Sequence, residues 1–140
     1  MRVVEAQDAV EPLHVVAAII ADGPHVLACR RRAHKDAGGR WEFPGGKLEP
    51  GETPAVALRR EIREELSAEI DVVGELTTDD TRVGSRVIRL TCLRARLTGA
   101  RPVRSTDHDR LVWLPPADLG ALDWAEPDLP AVRLLTASAE

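Results

Sequence analysis

The chain has 140 residues, with 23 Asp and Glu against 19 Lys and Arg, and 44% of its residues are apolar. That length suits one domain with a buried core. The acidic balance argues against a polynucleotide or an anionic membrane as partner, and no run approaches the ~18 apolar residues of a membrane-spanning helix.

Aromatic residues are scarce, so the core must be built from Val, Leu, Ile and Ala. The N-terminal stretch "MRVVEAQDAVEPLHVV" is broken by acids and Pro12, unlike a signal peptide. A soluble cytoplasmic protein is expected. Residues 13–20, "LHVVAAII", form a short β-branched run and predict a buried strand. "ADGP" at 21–24 is a turn. A second strand begins at 25 and ends in Arg30, Arg31 and Arg32, followed by a polar loop over 33–40. "WEFPGGKLEPGE" at 41–52 reads as a structured loop without a regular element. Thr53 and Pro54 fit the N-cap and first turn of a helix running to about Leu66. Strands follow at 70–78, 86–97 and 110–114, then a helical turn at 116–121 and a helix at 128–137. Cys29 and Cys92 sit in apolar runs without zinc spacing, and read as reduced core thiols. Strands before, between and after the helices predict an α+β chain, an α/β/α sandwich with a mixed sheet.

The helix at 53–66 carries the chemistry. Ala55, Leu58, Ile62 and Leu66 share an apolar stripe, flanked by Glu61 and Glu65 with Glu64 beside them. Arg59, Arg60 and Arg63 point elsewhere. Opposite charges four apart stabilise a solvated helix by roughly 0.2–0.5 kcal/mol per pair. Here Glu61/Glu65 and Arg59/Arg63 are like pairs, and only Arg60/Glu64 is opposite, in the less favourable order. One alternative is a solvated charged face. The other is a cation site, since three carboxylates at i, i+3 and i+4 suit hard ions such as Mg2+ or Mn2+. The glycine-rich "PGGKLEPGE" just before it favours the second.

Gly46, Glu52, Arg60, Glu61, Ile62, Glu64 and Glu65 fall in register with the Nudix motif, so the chain resembles a Nudix hydrolase with its motif at 46–68. Ser67 stands where that motif has Gly, which puts the helix C-cap in question. The resemblance implies one Nudix domain over 1–140, an α/β/α sandwich acting on nucleoside diphosphates linked to another group. It implies metal ligation by Glu61, Glu64, Glu65 and the carbonyl of Gly45, with Glu52 and Arg60 orienting the ligands.

"WEFPGGKLEPGETP" and "STDHDRLVWL" resemble the MutT-like branch, which cleaves nucleoside triphosphates to monophosphate and pyrophosphate. By that pattern Asp107, six before Trp113, is a further ligand or base; its alternative is a solvated loop acid. His108 either tunes Asp107 or is solvated. Arg31 matches a substrate contact, and Lys47 either meets a phosphate or faces solvent. Asp128 matches the base-reading position, where an ionised carboxylate suits the cytosine amino group; alternatively it caps the last helix. Trp124 stacks on the base or belongs to the core. The resulting expectation is an Mg2+- or Mn2+-dependent triphosphate pyrophosphohydrolase, a monomer or homodimer, directed toward cytidine nucleotides. An 8-oxo-dGTP hydrolase and a non-catalytic nucleotide-binding module are the alternatives.

Overall fold

The apolar run at 13–20 becomes the centre of a sheet. In the computed structural model, which describes residues 11–139, β1 (Leu13–Asp22) buries side chains on both of its faces. Val16, Ala18 and Ile20 enter one core, and Ala17 and Ile19 enter the other. A strand covered on both faces shows a continuous apolar run rather than alternation, which is how it reads in the sequence. Residues 1–10, which carry most of the stretch judged unlike a signal peptide, lie outside the described residues.

β2 (His25–Arg31) pairs antiparallel with β1, and β6 (Arg86–Leu97) pairs with it in parallel. β5 (Ile70–Val83) lies beyond β6, and β3 (Trp41–Glu42) beyond β2. β4 (Gly45–Lys47) pairs with β1, and β7 (His108–Leu114) with β2. α1 (Pro54–Leu66) covers the first core with Ala57, Leu58, Ile62 and Leu66. α2 (Leu129–Ser138) covers the second with Ala131, Val132 and Leu135. The result is the expected α/β/α sandwich around a mixed sheet.

Three local expectations change. The stretch 41–52 does contain regular structure, β3 and β4, because Gly45 lets its backbone lie against β1. A Cβ at Gly45 would sit 1.9 Å from the Val16 carbonyl oxygen, so the glycine that suggested a loop is what permits the ladder. The strand expected at 70–78 continues to Val83. Register shifts between Val72 and Gly74 and between Glu75 and Thr77 keep it paired with β6, and such bulges interrupt the alternation that marks a strand in sequence. On α1, Ala57 rather than Ala55 is fully buried, and Glu65 joins the buried set.

The ends of α1 follow local rules. The Thr53 hydroxyl accepts the Val56 N–H at 3.3 Å, and Pro54 occupies the first turn. Ser67 takes the left-handed conformation, φ 52° and ψ 38°, and its N–H donates to the Arg63 carbonyl at 3.1 Å. The helix therefore closes as it would with glycine, at a steric cost of roughly 1–2 kcal/mol for a residue with a side chain. Glycine recovers this cost but loses more entropy on folding. Ser67→Gly is expected to gain about 0.5–1 kcal/mol net and to raise the midpoint of thermal unfolding by roughly 2–4 °C, measured by calorimetry.

Candidate active site

Glu65 occupies a core position on α1. It lies three residues beyond Ile62 and seven beyond Leu58, so the helical period turns it inward with them. It is 8% exposed, and its Oε1 is a buried oxygen without a hydrogen-bond partner among the described residues. Desolvation raises its pKa well above the ordinary carboxylate range, and the negative charges of Asp107 and Glu61 push it further in the same direction. A buried, unpartnered carboxylate is costly, so it implies a cation or a proton.

Glu61 rests on the backbone of Gly46, where a Cβ would lie 2.4–2.6 Å from its carboxylate atoms. Arg60 does not point away from the acids, as the helical wheel suggested. Its Nε and one terminal nitrogen donate to the two oxygens of Glu52, at 2.7 and 2.9 Å. The other terminal nitrogen donates to Glu61 at 3.1 Å and to Glu64 at 3.4 Å. Segment 47–52 folds back over the helix, which a wheel cannot show: Arg60 also donates to the Lys47 carbonyl at 3.2 Å, and the Glu49 N–H donates to Glu52 at 2.9 Å. The hydrogen bond from Arg60, then that from Glu49, hold the Glu52 carboxyl at about 2. Lys47 itself is exposed, and the Glu64 side chain is 61% exposed.

Among the described residues, no three His, Cys, Asp or Glu side chains are gathered into a metal-binding group. Arg60 engages Glu61 and Glu64, and carboxylates repel each other unless a cation lies between them. The residues nevertheless suit a hard divalent ion. The donors are all oxygen, and the buried Glu65 oxygen, without a hydrogen-bond partner among the described residues, has two further acids beside it.

Asp107 is brought to this helix by its own segment. The neighbouring Thr106 N–H donates to the Glu65 carbonyl at 3.1 Å. The Asp107 N–H donates to the Ser105 hydroxyl at 3.2 Å, and its carboxylate lies 3.1 Å from Lys35 Nζ. His108 is not solvated. It is 2% exposed, with Nδ1 2.7 Å from the Ser105 hydroxyl and Nε2 2.7 Å from Glu42 Oε2. The ring thus bridges the Ser105 hydroxyl and the Glu42 carboxylate, with Nε2–H donating to the latter. Arg31 donates to the same Glu42 oxygen at 3.2 Å and to the Asp36 carbonyl at 2.6 Å. Arg32 donates to the carbonyls of Ser105 and Thr106, both at 3.0 Å.

Asp128 and Trp124 lie on the opposite side of the sheet from α1. Asp128 makes no side-chain cap bond to α2, which removes the capping alternative. Its carboxylate instead accepts the Phe43 N–H at 2.9 Å and is 5% exposed. Burial raises its pKa well above the ordinary value. Trp124 is core, not a free stacking platform: it is 3% exposed, packs on Phe43 at 4.6 Å between ring centroids, and donates from Nε1 to the Leu119 carbonyl. Its backbone bridges to Trp41, with the Trp41 N–H donating to Asp123 and the Ala125 N–H donating to Trp41. Glu42 and Lys35 were not singled out in the sequence, and Arg32 was named only with Arg30 and Arg31 at the end of a strand. Their partners lie as far as 74 residues away for Arg32, and no local spacing announces them.

The NUDIX domain family model matches residues 12–135. The chain belongs to the Nudix family. This Nudix hydrolase is 34% identical over 125 residues to the CTP pyrophosphohydrolase of Escherichia coli K12, covering 89% of the chain and 92% of that protein. It is 40% identical over 117 residues to a Mycobacterium tuberculosis protein named "Putative 8-oxo-dGTP diphosphatase 2", covering 81% of each. The solution structure of the E. coli ORF135 protein superposes with a TM-score of 0.77 at 34% identity, over 91% of this chain and 90% of that one. Nudix hydrolases generally use divalent cations.

Two outcomes are expected. In the metal-free Nudix hydrolase, the folded state holds a proton on Glu65 above the unfolded carboxyl's value of 4.5. Stability should therefore fall as pH rises from there through neutrality. Glu65→Gln should flatten that slope and raise the unfolding midpoint at pH 8, measured by thermal melts in chelator. Gly46→Ala should displace the flexible Glu61 carboxylate and lower activity while the protein stays folded, whereas Gly45→Ala, which meets backbone, should impair folding. Circular dichroism and turnover separate the two.

Proposed function

We propose that this Nudix hydrolase cleaves nucleoside triphosphates, ribo or deoxy, to the monophosphate and pyrophosphate. The reading rests on one observation above all: a buried, unpartnered oxygen of Glu65 beside Glu61 and Asp107. Glu61, Glu64 and Glu65, with the carbonyl of Gly45, would hold Mg2+ or Mn2+. Such ions supply the positive charge that lets carboxylates and a triphosphate share a site, and they polarise the phosphoryl oxygens. Arg60 and Glu52 hold Glu61 in place over Gly46. Asp107 completes the ligand set or accepts a proton from the attacking water. Arg31, oriented by Glu42, and Lys47 contact the substrate.

Asp128 is the candidate for reading the base. Two readings follow from its proton. An ionised Asp128 only accepts, which favours the cytosine amino group, in line with the E. coli relative's name. A neutral Asp128 donates and accepts, which suits the mixed edge of oxidised guanine, in line with the mycobacterial relative's name. Its burial favours the second.

The test is pyrophosphate release from CTP, dCTP, 5-methyl-dCTP and 8-oxo-dGTP, with Mg2+ and with Mn2+, compared as kcat/KM. Glu65→Gln should lower turnover at least about hundredfold, the upper range for loss of a group supporting a metal ligand. Near-full turnover would remove Glu65 from the site. A neutral Asp128 predicts that Asp128→Asn, which keeps donor and acceptor, leaves the CTP to 8-oxo-dGTP ratio nearly unchanged. A shift of about tenfold or more would establish the ionised form.

A further inference from the structure

Among the described residues, Lys35 is the cation paired with Asp107, and the proposed function gives it no part. It sits in the turn between β2 and β3, with Nζ 3.1 Å from Asp107 Oδ1. The two side chains are 33% and 31% exposed, so water and ions reach the pair. The backbone on both sides is fixed. The Lys35 N–H donates to the Arg32 carbonyl, the Gly38 N–H to the Lys35 carbonyl, and the Gly39 N–H to the Arg31 carbonyl, at 3.0, 2.9 and 2.9 Å. A Cβ at Gly38 would lie 2.4 Å from the Ala33 carbonyl oxygen, so the turn closes tightly. Arg32 then locks this turn to the Asp107 segment. Its guanidinium holds the Ser105 and Thr106 carbonyls, and its own N–H donates to the Asp107 carbonyl at 3.1 Å.

With both backbones held, the freedom left to the pair is in the side chains. Lysine suits exchange: a compact ammonium on a flexible four-carbon stem can change partners without moving the chain, which a planar guanidinium does less readily. A divalent ion arriving at Glu65 and Asp107 brings charge to the oxygen that Lys35 now occupies. The displaced ammonium is left beside the anion that arrives with that ion.

We propose that Lys35 is an exchangeable counter-ion of the site: it holds Asp107 in the absence of a divalent ion, yields that oxygen when one binds, and then pairs with a phosphate oxygen of the substrate. The inference rests on the placing of Asp107 in the metal site. A fixed surface salt bridge would behave differently, because its loss would not improve ion binding.

The experiment measures Mn2+ binding to the nucleotide-free protein, from the electron paramagnetic resonance of free Mn2+, and KM with Mg2+ and a triphosphate. Wild type, Lys35→Met, Lys35→Arg, Asp107→Asn and the Lys35→Met/Asp107→Asn double variant are compared. Lys35→Met should bind Mn2+ about two- to fivefold more tightly, the range set by an exposed ion pair, and should raise KM about threefold or more. Lys35→Arg should restore KM toward wild type. Asp107→Asn should weaken Mn2+ binding and abolish the tightening in the double variant. Unchanged or weaker Mn2+ binding in Lys35→Met, with Asp107→Asn still weakened, overturns the counter-ion role and leaves the metal assignment standing. Unchanged KM in Lys35→Met overturns the transfer to substrate. Wild-type Mn2+ binding in Asp107→Asn overturns the inference together with the placing of Asp107 at the metal.

Discussion

A carboxylate at a core position of α1 sets the terms for everything around it. Ile62 and Leu66 bind the helix to the sheet, and the same helical period turns Glu65 inward with them. Solvent cannot relieve the charge, and among the described residues no side chain donates to Oε1. Burial in an apolar setting thus stores an unmet demand for positive charge at one defined point. The surrounding acids sharpen that demand, since Asp107 and Glu61 both disfavour a second negative charge.

Arg60 relieves part of the charge crowding on this helix. It gathers Glu52, Glu61 and Glu64 around one guanidinium, so only one member of the Glu61/Glu65 pair is neutralised, from the loop side. The two halves of the motif are thereby joined: the loop residue Glu52 meets the helix residue Arg60 across eight positions of sequence. Arg60 makes no hydrogen bond to Glu65.

Much of this was legible in the sequence. The continuous apolar run of β1 announced a strand covered on both faces, Thr53 and Pro54 fixed the start of α1, and the like-charged pairs Glu61/Glu65 and Arg59/Arg63 announced a helix with a purpose beyond solvation. What was not legible depended on long-range approach. Arg60 looked misdirected because the wheel omitted the segment that folds over it. His108 looked solvated because Glu42, its partner, lies 66 residues earlier. Helix capping stood as the alternative role for Asp128 because the Phe43 N–H that claims it is 85 residues away. The β4 strand was hidden by Gly45, whose missing side chain signals a loop locally but permits close backbone pairing in three dimensions.

The stitching of the C-terminal segment to β3 has a consequence for how this enzyme can diverge. Trp41 and Trp124 bridge through their backbones, and Asp128 grips the N–H of Phe43, two residues before Gly45. The C-terminal segment that carries Asp128 and the strand that leads into Gly45 are thus one mechanical unit. Divergence at Asp128 therefore also disturbs the tether of the strand that leads into Gly45 and Gly46.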